Sequence, residues 1–302
     1  MTVLLSIFLN DVLPIFLVAG VGFVLARHAR LDVRVVSRMA FNALAPCLVF
    51  TLLVDSRIGA DEAGRLALFS VCSILAVGAV AWLAARLLRL DRRTATAFLM
   101  VVMFSNTGNY GLSVIMLAFG HDALARGTIY FVVSAVMMYT VGVFLASAGT
   151  RSAADALKSV LKVPAVWGAV LALVVIAIGR RPPFAVMSSI EMLSAAALPV
   201  MMLVLGMQFE RARRPERPGL VALASALTLV VQPLLAFGLA DIIGLTGAAR
   251  QASILEASMP AAIVTTILAL EYDAAPAFVT SVVFVTTLLS PLSVTVVIAL
   301  LR

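Results

Sequence analysis

Apolar residues in this chain do not alternate with polar ones; they run in blocks of about 20, parted by short charged clusters. At 1.5 Å per residue, about 20 apolar residues carry a helix across hydrocarbon. The pattern therefore predicts ten spans, at 5–27, 35–54, 65–90, 94–120, 127–149, 160–179, 187–209, 218–243, 249–271 and 275–301. The expected fold is an all-α polytopic membrane protein. A transmembrane β-barrel would show segments of roughly 10 residues alternating polar and apolar, and no such dyad pattern runs through the chain. The first block has no basic segment before it and no small-residue cleavage pattern before Arg27, so it reads as a span, not a leader.

Two blocks are broken from within. The fourth contains FSNTGNYGLSV (104–114), where Asn, Thr and Gly favour turns over helix; the ninth contains Ser258-Met259-Pro260, where proline removes an intrahelical donor. Non-helical backbone at membrane depth survives only where protein or a polar cavity receives its freed groups. Paired interruptions at matching places in two halves point to a transport site, because half-helix N-termini offer partial positive charge to an anion. The halves do align: Ala43-Leu44-Ala45-Pro46 lies 153 residues before Ala196-Ala197-Leu198-Pro199, and AFGHDA (118–123) lies 151 before ALEYDA (269–274). Five spans per half is an odd number, which forces the second half to insert upside down. The expected organisation is thus two inverted five-helix repeats, 1–150 and 151–302, with broken fourth and ninth helices that cross.

Composition narrows the class further. Of 302 residues, 63% are hydrophobic and 12% charged, with a mean hydropathy of +1.13, far from the roughly 25% charged residues of soluble domains. The net charge of +7 is a topology signal: the odd-numbered loops hold 15 Lys and Arg, the termini and even loops 7. By the positive-inside rule the odd loops are cytoplasmic, and both termini lie on the non-cytoplasmic side of the cell (inner) membrane. No nucleic-acid partner is needed to account for the charge. Arg211 to Arg217 reads as a solvated cytoplasmic loop within reach of anionic lipid.

NTGNYGLSV followed by AFG resembles the fourth-helix crossover of the auxin efflux carrier family, which includes plant auxin exporters and bacterial malate and malonate permeases. Residues 257–294 resemble that family's ninth and tenth helices, with Pro260 at the crossover and Pro291 in the final helix. The resemblance implies a fold related to the bile acid sodium symporters. Scaffold helices would occupy about 5–54 and 160–209, and a mobile transport domain about 65–149 and 218–301. It also implies an elevator-like movement, and family members are often homodimers.

On that reading Asn106 and Asn109 supply amide donors to a carboxylate, while also suiting half-helix caps. Thr107 lies between them, and Gly108 and Gly111 allow close backbone approach. Tyr110 either lines the cavity or anchors neighbouring helices. Ser258, Met259 and Pro260 present freed backbone groups to the same point, and Asn42 would reach it from the scaffold. Pro46, Pro199 and Pro260 are hinge or crossover candidates. Ionisable residues inside spans are functional candidates by default. Glu256, roughly 10 Å along the helix from Arg250, offers a carrier for a coupling proton; Asp11 reads the same way more weakly, since it nears the outer interface. Gln208 and Gln232 are expected interhelical hydrogen-bond partners.

The remaining residues exclude more than they suggest. Cys47 and Cys72 have no paired spacing, and His28 and His121 stand 93 positions apart, so no disulfide framework, metal site or cofactor is expected. G-x-S-x-G, H-E-x-x-H and P-loop patterns are missing, which argues against an enzyme or an ATP-driven pump. The expected function is a secondary active transporter of small organic anions, carboxylates among them. A sodium-coupled carrier like the bile acid symporters is the alternative, ahead of a passive anion channel or a membrane sensor.

Overall fold

The structure is a computed structural model that describes residues 2–29, 31–146, 158, 160–209 and 217–302. The expected repeat boundary at 150/151 and the basic run 211–216 lie outside the described residues. Helices account for the secondary structure: α1 (Val3–His28), α2 (Val33–Asp55), α3 (Ala60–Leu87), α4 (Arg92–Met103), α5 (Thr107–Ala146), α6 (Pro164–Ile178), α7 (Phe184–Phe209), α8 (Pro218–Ile243), α9 (Gly247–Ala257), α10 (Val264–Glu271) and α11 (Pro276–Leu301). No strand occurs among the described residues beyond one isolated antiparallel bridge, Ser105 with Ala261.

Seven of these helices, α1, α2, α3, α5, α7, α8 and α11, are long and apolar enough to cross a membrane. Their outward faces carry Leu17, Leu234, Ile242 and Leu292, each more than 60% exposed. Such a belt would be a liability in water and matches hydrocarbon. The chain is a multi-pass membrane protein. The remaining expected spans are built differently. Span 160–179 is the 15-residue α6. Spans 94–120 and 249–271 are each split, into α4 plus the start of α5 and into α9 plus α10. The expected end of the fourth span at 120 coincides with a break: Gly120, with φ 79° and ψ −168°, is non-helical, so the 40 residues of α5 are two helices joined directly at a kink with no longer loop between them.

Three prolines are accommodated by the same device. Wide π-turns at Phe8–Val12, Ala40–Leu44 and Leu227–Val231 each end two residues before Pro14, Pro46 and Pro233. In each, the residue before the proline bonds back five positions: Leu13 to Phe8, Ala45 to Ala40, Gln232 to Leu227. The extra residue moves the carbonyl that would otherwise clash with the ring. Pro199 and Pro291 sit inside α7 and α11 without such a turn.

Packing concentrates where small residues let backbones meet. At the α1–α7 crossing, a Cβ on Gly22 would lie 2.0 Å from the Leu203 carbonyl oxygen, and one on Gly206 would lie 1.6 Å from that of Ala19. Gly168 of α6 abuts the Pro46 carbonyl of α2 in the same way, at 2.4 Å. Thr51 and Ser194 share a 2.7 Å hydrogen bond between α2 and α7. Elsewhere α9 packs on α5 and α8 on α3. Asp91 caps α4, accepting from the Thr94 hydroxyl at 2.7 Å and the Thr94 N–H at 3.0 Å; these bonds hold its carboxyl below the usual range.

Candidate functional site

The two breaks meet. Between α4 and α5, residues 104–106 leave the helix; between α9 and α10 the chain is non-helical around Pro260. Asn106 N–H donates to the Pro260 carbonyl at 2.7 Å, and Ala262 N–H donates to the Phe104 carbonyl at 2.8 Å. Backbone groups that each helix gave up are thus satisfied by the other, in the antiparallel sense of the Ser105–Ala261 bridge. Ala261 N–H finds the Thr286 hydroxyl of α11 at 3.2 Å, and Gln232 Nε2 of α8 reaches Ser105 Oγ at 3.1 Å.

The polar residues expected at this point are gathered there and buried: Asn106, Thr107 and Asn109 are 6%, 5% and 3% exposed, and Ser258 is fully enclosed. Thr107 to Leu112 forms another wide turn, in which Gly111 N–H bonds back to the Asn106 carbonyl at 3.0 Å. The Asn106 side-chain NH2 and the Asn109 side-chain oxygen are buried without partners. An amide that rotates by half a turn exchanges donor for acceptor, so both side chains are able to present N–H to an anion. Ser258 donates back to the Ile254 carbonyl at 2.6 Å, and Met259 is enclosed beside it.

Tyr110 is an anchor: fully buried, it accepts from Ser290 Oγ of α11 at 3.2 Å and meets the Phe16 ring of α1 edge-on at 5.8 Å. Gly108 is tightly enclosed: Phe131 Cε2 and Phe41 Cε1 would stand 3.0 and 3.4 Å from a Cβ there, so a side chain would have to push the rings aside. Phe16 and Phe41 therefore close the crossover from the side of α1 and α2. Sequence reasoning missed both; aromatic residues in an apolar run carry no mark of their own.

Glu256 ends α9 immediately before the break. It is wholly buried, and neither carboxyl oxygen has a partner. Its Oε2 lies where a Cβ on Gly111 would come within 2.3 Å, and its Oε1 stands 3.4 Å from the corresponding point on Gly127. Two glycines thus make the space the carboxyl fills. Asp11, also buried, is paired: Arg302 Nη2 donates to its Oδ2 at 2.6 Å, tying α11 to α1.

Asn42 stands apart. It is exposed and lines an apolar groove of about 400 Å³ with Pro46, Cys47, Lys162 and Trp167, while its neighbour Phe41 faces Gly108. Pro199 is exposed on α7. Of the two expected glutamine partners, Gln232 makes its interhelical bond, and Gln208 Oε1 is buried without one. No cluster of three or more His, Cys, Asp or Glu side chains suited to a metal exists among the described residues.

Seven membrane-length apolar helices and two mutually bonded helix breaks define a multi-pass membrane protein. The chain belongs to the membrane transport protein family, the auxin efflux carriers, which it matches over residues 7–298. It is 26% identical over 288 residues to an uncharacterized transporter of Methanothermobacter thermautotrophicus, covering 94% of this chain and 95% of that one. It is also 26% identical over 222 residues to an uncharacterized transporter of Methanocaldococcus jannaschii, covering 72% of each chain.

Proposed function

We propose that this transporter is a secondary carrier of small organic anions, chiefly carboxylates. The observation that carries the reading is the unpartnered, buried Asn106 amide at the start of α5, where the break turns a helix N-terminus toward the α9–α10 connection. A carboxylate bound there meets N–H donors and the positive helix end together, without a fixed cationic side chain that would hold it too tightly to release. Asn109 and Thr107 complete the site beside the Ser258–Pro260 turn, whose N–H groups are bonded within the protein. Asn42 serves the scaffold groove it lines.

The same reading takes the helices as ten crossings in two inverted five-helix repeats, with α4 and the first part of α5 answering α9 and α10. The reciprocal hydrogen bonds between the breaks support it. The α1–α7 and α2–α6 crossings, backbone on backbone, suit a rigid scaffold, and α3–α5 with α8–α11 the moving domain of an elevator. Pro46, Pro199 and Pro260 are its candidate flexing points. In this reading both termini lie on the non-cytoplasmic side of the inner membrane, which the surplus of basic residues in odd loops supports. A second copy as partner rests on family resemblance alone.

Coupling falls to Glu256, because Asp11 already has Arg302 as counter-ion. A proton is the coupling ion of this reading; a sodium ion at the same carboxyl is the second form of it.

The test is reconstitution in liposomes, with labelled malonate, malate and auxin-like acids supplied under imposed pH, sodium and voltage gradients. Uptake of at least one acid above protein-free liposomes is expected, and uptake of none by folded protein overturns the reading. Asn109→Ala is expected to lower transport about 10- to 100-fold, the loss of one hydrogen bond to a charged group, with an unchanged melting temperature. Normal transport by that variant would leave the break as a structural kink.

A further inference from the structure

On α8, Ser225, Thr228 and Gln232 recur at spacings of three and four, along one helical face. They are 5%, 0% and 1% exposed, and each holds an oxygen with no hydrogen-bond partner: Ser225 Oγ, Thr228 Oγ1 and Gln232 Oε1. The Gln232 bond to Ser105 Oγ sets this face against the C-terminal end of α4. The backbone contributes another oxygen. Gln232 N–H is used by the Leu227 carbonyl, and Pro233 has no N–H, so the Thr228 carbonyl lies between a donor already engaged and one that is missing.

Unpartnered oxygens on successive turns of one buried helical face call for a ligand that accepts lone pairs. All are neutral, with no carboxylate, nitrogen or sulfur in the set, which suits a hard ion of single charge. The place agrees in sign: the last turn of a half-helix carries partial negative charge and free carbonyls. The break therefore has two electrically opposite sides, the N-terminal end of α5 with Asn106 for an anion and the C-terminal end of α4 for a cation.

We propose that Ser225, Thr228, Gln232 and Ser105 bind a dehydrated alkali cation at the C-terminal end of α4. This site is separate from Glu256, which ends α9. Cation binding here makes no use of the organic anion, so it is tested without one.

Purified full-length protein in detergent is incubated with labelled sodium, in competition with potassium, lithium or choline, and its melting temperature is read in each chloride salt. Saturable sodium binding, displaced by at least one other alkali ion and not by choline, is expected, with a higher melting temperature in the bound salt. Thr228→Val and Gln232→Ala are expected to weaken binding at least about tenfold, whereas Thr228→Ser, which keeps the hydroxyl, retains it. Size-exclusion profiles identify any variant that fails to fold, and the Thr228→Val and Thr228→Ser pair decides if Gln232→Ala does. Equal melting in alkali and choline salts with no saturable binding would leave ordered water as the ligand and overturn the proposal. Undiminished binding in folded Thr228→Val would overturn it as well.

Discussion

Gly206→Ala is expected to remove the folded protein from solution, or to lower its stability by at least about 3 kcal/mol, the upper range for overpacking. The methyl would stand 1.6 Å from the Ala19 carbonyl oxygen and 2.4 Å from its carbonyl carbon. Neither is a side chain able to change rotamer, so relief requires α1 and α7 to part along their crossing. The contact is reciprocal, since Gly22 meets the Leu203 backbone three residues earlier on α7. Moving the helices apart would also loosen the Val33, Val204 and Met207 cluster beyond it. Gly20→Ala is the control: it is exposed, nothing lies within 4 Å of its Cβ, and alanine gains up to about 1 kcal/mol of helix propensity. Thermal melting of the two variants in the same detergent checks the expectation. Equal melting curves would mean that α1 and α7 are not packed as described.

That crossing was not legible in the sequence, and the reason is general. Gly22 and Gly206 are two glycines among 18, and nothing nearby in the chain says which of them meets another backbone. The seven membrane-length helices were legible because hydrocarbon filters for length and apolarity, and the breaks because Asn-Thr-Gly-Asn and Met-Pro contradict the helix around them. Glu256 stood out for the same reason, a charge inside an apolar run. Facing direction was harder to read. Asn42 was expected at the crossover, yet the wide turn at Ala40–Leu44 inserts one residue into the helical count, and Phe41 is the side chain that meets Gly108. A π-turn leaves no more trace in the letters than the proline that follows it. The polar face of α8 was half legible: Gln232 was expected to bond between helices, but its partner Ser105 and the unpartnered oxygens beside it are set by three-dimensional packing.

Glu256→Gln is expected to uncouple transport from the pH gradient. Whenever the wild-type carboxyl is ionised it has no donor and no counter-charge, and it stands against Gly111, two residues from Asn109. An anion entering the crossover would be repelled by it until a proton neutralises it, so each anion carried in brings a proton with it. With the outside more acidic by one pH unit, a one-proton carrier has about 1.4 kcal/mol available for each anion moved, about a tenfold further accumulation. Glutamine has nearly the same shape and is neutral at every pH. The variant should still exchange labelled for unlabelled anion, while the accumulation driven by the pH gradient disappears. Glu256→Asp should keep the coupling, because the carboxyl survives with one methylene less. Gly111→Ala should behave otherwise and lose exchange as well, since its methyl would stand 2.3 Å from Oε2 and displace the carboxyl and the turn together. The measurement is uptake and counterflow in liposomes on the same preparations. If Glu256→Gln still accumulates anion down the pH gradient, the proton travels elsewhere. If sodium and not pH drives accumulation in the wild type and the glutamine variant loses that dependence, the carboxyl carries the cation. The separation between exchange and accumulation is what distinguishes a coupling group from a structural one, because a misfolded crossover would abolish both.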